Sequence, residues 1–256
     1  MAAAVNQSVK EQFGAVAAAY AVSAVHAGGP DLTALIAAAE LTGSEQVLDM
    51  GCGAGHTGIA AAANAAHVTA LDVTPEMLAV AANLAQERGR TNMTFCEGDV
   101  MAMPFEDATF DVVTSRFSAH HYGDPARALA EAYRVLKPGG QLLLVDSIAQ
   151  EDATLDTFYN CFELLRDSSH VRNWRGSEWM RMLAAAGFAG EMLDRYVVRL
   201  DGASWVQRMR TPANKVAMVQ ELFRDAPAHV RAAFECQDEP WMFSIPSALL
   251  RGRKPA

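Results

Sequence analysis

The stretch from Gln46 to Ala60, QVLDMGCGAGHTGIA, constrains the fold of this 256-residue chain more than any other. Apolar residues around Val47 and Leu48 predict a buried strand, and the glycines that follow predict a turn whose backbone a ligand can approach closely. The small residues after the turn predict a helix. Together they indicate the first unit of an open α/β sheet that binds a nucleotide-type ligand beyond the carboxyl ends of its strands.

A second predicted strand ends at Asp72, where an acid can hold ribose hydroxyls. The nucleotide itself is less certain, because residues 53–58 match the dinucleotide pattern G-x-G-x-x-G and so permit NAD. Asp49, however, closes the first strand before the turn. A carboxylate there would repel a pyrophosphate and attract an ammonium group, which favours S-adenosylmethionine.

Four motifs occur along the chain in a fixed order. VLDMGCGAG with ALD is followed by EGDVMAMPF at 97–105, FDVVTSRFSAHH at 110–121 and RVLKPGGQLLLVD at 134–146. In the identity and order of these motifs, the chain resembles the class I S-adenosylmethionine-dependent methyltransferases. Within them it is most similar to the small-molecule subgroup with the ubiquinone and menaquinone C-methyltransferases, and to uncharacterised bacterial members with an LRDxSHVR segment, matched at 165–172.

Strand-like and helix-like segments alternate as in a doubly wound sheet. We predict strands at 47–50, 67–72, 92–96, 110–115, 140–147, 192–200 and 241–251, and helices at 55–65, 75–88, 124–136, 152–168, 177–186 and within 203–236. The fold class is therefore α/β, and the resemblance implies seven mostly parallel strands, the last one antiparallel. We expect one methyltransferase domain over 1–256: an N-terminal helical lid (1–45), a cofactor-binding core (46–147) and substrate-side helices with the last strands (148–256).

The lid is predicted to be helical, with a break at Gly28-Gly29-Pro30 and a second helix capped by Asp31 and ending near Leu41. In the resembling family such a segment closes over cofactor and substrate. This places Phe13, Tyr20 and His26 near the pocket, although they could equally pack the helices onto the sheet.

The following residues are candidates for cofactor binding: Asp49, Gly51, Gly53, Gly55, Asp72, Val73, Met77, Asp99, Val100, Arg116 and His121. Asp49 would meet the methionine amino group, unless it only caps the turn. The resemblance implies that Asp72 accepts the ribose hydroxyls, that Met77 contacts the adenine and that Asp99 accepts the adenine amine, with an Asx turn as the other reading of Asp99. Arg116 should face the pocket or an acid, since a buried unpaired arginine is costly.

His120 and His121 are the candidate catalytic residues, because histidine can act as a general base near neutral pH. Methyl transfer from a sulfonium needs mainly alignment, so a cofactor-side or structural hydrogen bond is the other reading. Arg166, His170 and Arg172 form a polar group that either contacts substrate, with Tyr20 and His26, or pins the cap through ion pairs.

The composition restricts the classes of molecule that the protein is expected to bind. A net charge of −9 argues against a nucleic-acid substrate, and no apolar run is long enough for membrane insertion. Four dispersed cysteines suggest neither a zinc site nor disulfides, and no carboxylate cluster suggests another metal, so we expect a metal-free cytoplasmic protein. A homodimer is left open.

The predicted function is methyl transfer from S-adenosylmethionine to a small organic acceptor, releasing S-adenosylhomocysteine. Three alternatives stay open: a cofactor-binding regulatory module without turnover, a methyltransferase acting on RNA or protein, and an NAD-dependent oxidoreductase. The sequence does not say whether carbon, nitrogen, oxygen or sulfur accepts the methyl group.

Overall fold

The computed structural model describes residues 2–21 and 27–256 and contains one seven-stranded sheet. Its strands are β1 Gln46–Met50, β2 His67–Asp72, β3 Met93–Glu97, β4 Phe110–Arg116, β5 Leu136–Ser147, β6 Ala189–Asp201 and β7 Met242–Arg253. The spatial order is β3-β2-β1-β4-β5-β7-β6, and β7 is antiparallel to both of its neighbours. The predicted fold class is thereby confirmed.

The α-helices lie between the strands and at the two ends of the sheet. They are α1 Ala2–Ala21, α2 Pro30–Ala38, α3 His56–Ala61, α4 Pro75–Glu87, α5 Pro125–Val135, α6 Ala153–Arg166, α7 Gly176–Ala185, α8 Gly202–Arg208, α9 Ala213–Arg224 and α10 Ala228–Ala233. A 3₁₀ turn spans Ala119–His121. The stretch 203–236, predicted only as helical, thus contains most of α8 and the whole of α9 and α10.

Local chemistry accounts for most of the helix starts. Proline occupies the first position of α4 and α5, where its missing N–H leaves no hydrogen bond unmade. The side chains of Asp124 and Asp152 accept backbone N–H groups at the starts of α5 and α6.

Three predicted boundaries are wrong. The helix predicted over 55–65 ends at Ala61. Asp31 does not cap α2, because the helix begins at Pro30 after Gly29 and ends at Ala38 rather than near Leu41. The fifth strand begins at Leu136 rather than at 140, since Leu136 already pairs with Phe110 and the register then shifts before Val112 pairs with Gln141.

Apolar side chains cover both faces of the sheet. One cluster joins the central strands to α5 and α7, and another joins them to α2 and α3. A third, rich in aromatic rings, lies between α6, α8, α9, α10 and the ends of β6 and β7, and we call this helical group the cap. The site lies where the carboxyl ends of the parallel strands meet the cap and α1, beside the switch in strand order between β1 and β4.

Candidate active site

A cavity of about 850 Å³, including its part open to solvent, lies beyond the carboxyl ends of β1, β2 and β4. Its wall contains most of the residues predicted to bind cofactor: Gly51, Gly53, Asp72, Val73, Met77, Asp99, Val100, Arg116 and His121. Asp49 and Gly55 do not line it. These predicted residues come from four separate segments, and the parallel sheet brings them together.

The glycine turn serves two different purposes. Gly53 has φ +52° and open space where a Cβ would stand, so its backbone faces the cavity directly. Gly55 has φ +82°, and a Cβ there would lie 2.8 Å from the Cβ of Ala81. Gly55 therefore allows α3 to pack closely on α4 rather than giving a ligand room.

Asp72 is held rigidly at the cavity wall. One carboxylate oxygen accepts the N–H of Gly53 at 2.8 Å and the other accepts the N–H of Thr74 at 2.8 Å. Burial raises the pKa of Asp72, and these hydrogen bonds oppose the rise. Each oxygen keeps a second lone pair that can accept a hydroxyl from a ligand.

Asp99 connects the far side of the cavity to the N-terminal helix. One oxygen accepts the N–H of Met101 at 2.8 Å, the local turn that the alternative reading anticipated. The other accepts the side-chain amide of Asn6 at 2.8 Å. Helix α1 packs on α4 and α8 and contributes Phe13 and Tyr20 to the same wall, so it covers the cavity.

Asp49 is 1% exposed, and among the described residues it accepts hydrogen bonds from two neutral groups: the N–H of Gly58 and the hydroxyl of Thr114, at 2.8 and 2.9 Å. Burial raises its pKa to about 6. Gly58 lies in the first turn of α3, so Asp49 stabilises the turn and the helix start. Contact with an ammonium group of the cofactor stays a prediction.

Arg116 faces both the cavity and an acid, as expected. Its Nε donates to Asp31 at 2.6 Å and its Nη2 to the carbonyl oxygen of Gly28 at 3.0 Å. Both side chains of the pair are almost fully buried. The ion pair thereby anchors the start of α2 to the end of β4.

A second cavity, of about 560 Å³, shares Phe13, Tyr20, Phe117 and His121 with the first. Phe117 has φ +51°, a strained conformation for a bulky residue and one that is frequent at functional sites. The remaining wall of the second cavity comes from the 3₁₀ turn, from the cap and from β5, β6 and β7.

The two histidines of the predicted pair differ in position. His121 lines both cavities, and its Nδ1 lies 3.1 Å from the carbonyl oxygen of Ser169, to which only a protonated nitrogen can donate. His120 lines the second cavity alone, and its Nδ1 lies 2.6 Å from a carboxylate oxygen of Asp146.

The predicted substrate residues separate into two groups. Tyr20 and Arg166 line the second cavity. Arg172 lines neither; it pairs with Asp156 at 2.9 Å and stacks on Trp174, as the ion-pair reading anticipated. His170 also lies outside both cavities, and its Nε2 is 3.1 Å from the side-chain oxygen of Asn160. His26 lies outside the described residues.

Sequence reasoning missed several wall residues: Asn6, Tyr122, Glu163 and Arg208. Tyr122 joins the ends of the first and fourth strands, because its hydroxyl bonds Ser115, Ser118 and the carbonyl oxygen of Met50. Asn6 and Arg208 lie in helices that no motif identifies. Their place in the cavity wall becomes visible only from the way α1 and the cap pack in the folded protein.

The residues present fit S-adenosylmethionine. The cavity offers a glycine backbone open to a ligand at Gly53, a fixed carboxylate at Asp72, a second acid at Asp99 and apolar contact from Met77 and Val100. This donor set suits a ribose, an amine and a flat base. Within 2–21 and 27–256, no cluster of histidine, cysteine and acidic residues could hold a metal ion, and none of the helices described there could cross a membrane.

Comparison with known proteins agrees with the site. Residues 48–144 match the profile of a methyltransferase domain. The chain is 37% identical over 234 residues to YcgJ of Bacillus subtilis, an uncharacterised methyltransferase, covering 90% of this chain and 92% of YcgJ. A crystal structure of YcgJ superposes with a TM-score of 0.85 at 36% identity, covering 88% and 98% of the two chains. The chain belongs to the class I S-adenosylmethionine-dependent methyltransferases, and S-adenosylmethionine is its cofactor.

Other relatives show where the resemblance is strong. YafE of Escherichia coli, an uncharacterised protein, is 38% identical over 184 residues, or 72% of this chain and 89% of YafE. The ubiquinone/menaquinone biosynthesis C-methyltransferase UbiE of Allorhizobium ampelinum is 40% identical, but over 119 residues only, or 45% of this chain and 46% of UbiE. Similarity to UbiE therefore covers less than half of the chain, whereas similarity to YcgJ extends over nine-tenths of it.

Proposed function

We propose that this protein transfers the methyl group of S-adenosylmethionine to a small organic acceptor and releases S-adenosylhomocysteine. The observation that carries the proposal is the pair of cavities with a common wall. The larger one has the residues that suit the cofactor, and the smaller one extends from the same wall beneath the cap.

Each part of the cofactor site has a role in this proposal. Asp72 accepts the ribose hydroxyls, Asp99 accepts the adenine amine, and Met77 with Val100 contacts the base. The cofactor supplies an activated methyl group on a sulfonium. The chain's own contribution is to align donor and acceptor and to exclude water, for which α1 and the cap are well placed.

The division of labour along the chain follows from this assignment. Residues 1–45 act as the lid, 46–147 bind the cofactor and 148–256 supply the acceptor side of a single domain. All four cysteines are free, which supports the expectation of a reducing cytoplasm.

The size of the second cavity favours a small acceptor over RNA or protein. Its walls include the buried side chains of Tyr20, His121 and Trp205, so an acceptor has to enter beneath the helices rather than lie on an open surface. The net charge of −9 also disfavours RNA.

Calorimetric titration with S-adenosylmethionine and S-adenosylhomocysteine tests the cofactor site. Asp72→Asn keeps the shape of the side chain but removes its charge. We expect affinity to fall about 10- to 150-fold, since a hydrogen bond to a charged group contributes about 1.5–3 kcal/mol. The exposed Asp225→Asn should bind as the wild type does. No binding by the wild-type protein would refute the proposal.

Turnover separates the enzyme from a regulatory module. The protein is incubated with methyl-labelled S-adenosylmethionine and a cell extract, and products are divided by ultrafiltration. Label in a new small compound supports the proposal. Label only in RNA or protein, or none despite tight cofactor binding, would contradict it.

A further inference from the structure

The second cavity combines apolar walls with an unusual set of polar groups. Its aromatic walls are Phe13, Tyr20, Phe117 and Trp205. Aliphatic side chains of β6 and β7 extend this surface, and polar side chains from β5, from α6, from α8 and from the 3₁₀ turn interrupt it. Such a lining suits a flat, mostly apolar compound with one polar end.

His120 lines this cavity and is held in the tautomer of a proton acceptor. Asp146 is 1% exposed; one of its oxygens lies 2.6 Å from Nδ1 of His120, and the other accepts the backbone N–H of His120 at 3.0 Å. The carboxylate accepts the Nδ1 proton, so Nε2 of the neutral ring keeps its lone pair. A carboxylate that fixes the tautomer of a histidine in this way is the arrangement of a general base.

The groups around His120 make it the histidine that takes up a proton. Burial lowers its pKa, but Asp146, Glu163 and Asp167 more than compensate, and the net pKa is raised. Burial and the proximity of His120 lower the pKa of His121 to about 4. The pKa of His170 is lowered to about 2 by burial and by the proximity of both His120 and His121. Those two rings therefore stay neutral when His120 becomes charged.

Two arginines give the cavity a positive end. Arg166 stacks on Trp205 at 4.8 Å, and its Nη1 lies 3.5 Å from the carboxylate of Glu163, so this charge is largely balanced. Among the described residues Arg208 forms no ion pair with a carboxylate, and Tyr20 and Glu163 offset only part of its charge. Its Nε is buried with no hydrogen-bond partner among the described residues, and burial and Arg166 lower its pKa. A half-buried guanidinium without a carboxylate partner favours an anionic oxygen.

We propose, on the basis of the methyl transfer proposed above, that the acceptor is a small hydroxylated aromatic compound, with His120 as the general base for its hydroxyl and Arg208 stabilising the negative charge that develops on oxygen. The oxygen forms a bond to the methyl carbon, and the carbon–sulfur bond breaks with its electron pair moving to sulfur. The hydroxyl proton moves to Nε2 of His120 and then to water. The products are an aryl methyl ether, S-adenosylhomocysteine and one proton.

Other acceptor classes fit the same groups less well. A carboxylate has no proton to lose, so the His120–Asp146 pair would have no task. An ammonium group would be repelled by Arg208. A phenol needs both the base and the cations, and its ring matches the four aromatic walls.

The probe for this inference is 4-nitrophenol, because its neutral and ionised forms absorb at different wavelengths. Each protein is first saturated with S-adenosylhomocysteine, with binding confirmed by calorimetry, and 4-nitrophenol is then titrated at a pH below its own pKa. We expect the ratio of phenolate to phenol to rise about tenfold on binding, the effect of one favourable charge pair on a phenol.

Variants assign the effect to single groups. His120→Asn places an amide nitrogen near the position of Nδ1, which can still donate to Asp146, but removes Nε2. Arg208→Gln removes the cation, whereas Arg208→Lys retains it. The first two should lower the phenolate ratio severalfold and Arg208→Lys should largely restore it, while the exposed control substitutions His229→Asn and Arg224→Gln leave it unchanged.

The outcomes separate this inference from the proposed function. Failure of the wild-type protein to bind S-adenosylhomocysteine would refute both. Tight binding of S-adenosylhomocysteine without binding of 4-nitrophenol, or with 4-nitrophenol bound in its neutral form, would overturn the acceptor assignment alone. An ionised probe that is insensitive to both His120→Asn and Arg208→Gln would also overturn it.

Discussion

Replacing Asp49 by asparagine should stabilise the free protein in a pH-dependent way. The carboxylate is almost fully buried, and its two hydrogen bonds come from neutral groups that an asparagine side chain can also satisfy. Burial raises its pKa to about 6, against about 3.9 in an unfolded chain. Each unit of difference between the folded and unfolded pKa corresponds to about 1.4 kcal/mol of stability. The difference of about two units at Asp49 therefore lowers the free energy of unfolding by about 3 kcal/mol once the carboxylate is ionised.

The sign follows from proton binding. Between about pH 4 and pH 6 the unfolded chain has already lost the Asp49 proton while the folded protein still holds it, so wild-type stability falls as pH rises. Asp49→Asn has no such proton. Its free energy of unfolding should equal that of the wild type below about pH 4 and exceed it by up to about 3 kcal/mol at neutral pH.

Urea unfolding of the ligand-free proteins, followed by tryptophan fluorescence at a series of pH values, measures this difference. Asp225→Asn is the matched control, because its side chain is exposed and its substitution should stay within about 0.5 kcal/mol at every pH. Parallel pH profiles for the wild type and Asp49→Asn would refute the burial argument. If Asp49 also attracts the cofactor's ammonium group, the same substitution should weaken S-adenosylmethionine binding while it stabilises the fold.

Two further substitutions test the packing around the site. Gly55→Ala should lower the free energy of unfolding by about 2–4 kcal/mol in urea, since it combines a left-handed backbone with a methyl group 2.8 Å from the Cβ of Ala81. The control Gly89→Ala, at a residue with φ +65° and open space, should lose only the backbone part of about 1–2 kcal/mol. Equal losses of stability in the two variants would exclude a packing role for Gly55. Asp31→Asn should destabilise by about 3–5 kcal/mol because it removes the carboxylate of a nearly buried ion pair with Arg116. Adding Arg116→Met should recover much of that loss, and a double variant no more stable than Asp31→Asn would contradict the ion-pair explanation.

The grouping of most cofactor candidates around one cavity could be predicted from the sequence, because these residues follow strand ends within short motifs. Asp72 and Asp99 are placed by the strands that precede them, and local chain geometry determines their turns. The role of Gly55 could not be inferred in this way. Whether a glycine faces a ligand or a neighbouring helix depends on how α3 and α4 pack, and nothing within the motif encodes that distance.

The sequence by itself determined the class of fold, the order of most of its elements and the nucleotide-type cavity, since hydrophobic periodicity and glycine placement act over a few residues. Only the tertiary structure decided which polar residues meet in the second cavity. Arg166 and Arg172 are six positions apart in one segment, yet one faces the cavity and the other pairs with Asp156 outside it. Arg208 reaches the same cavity from a helix without any motif, because the cap packs against β6 and β7 and brings distant segments into contact.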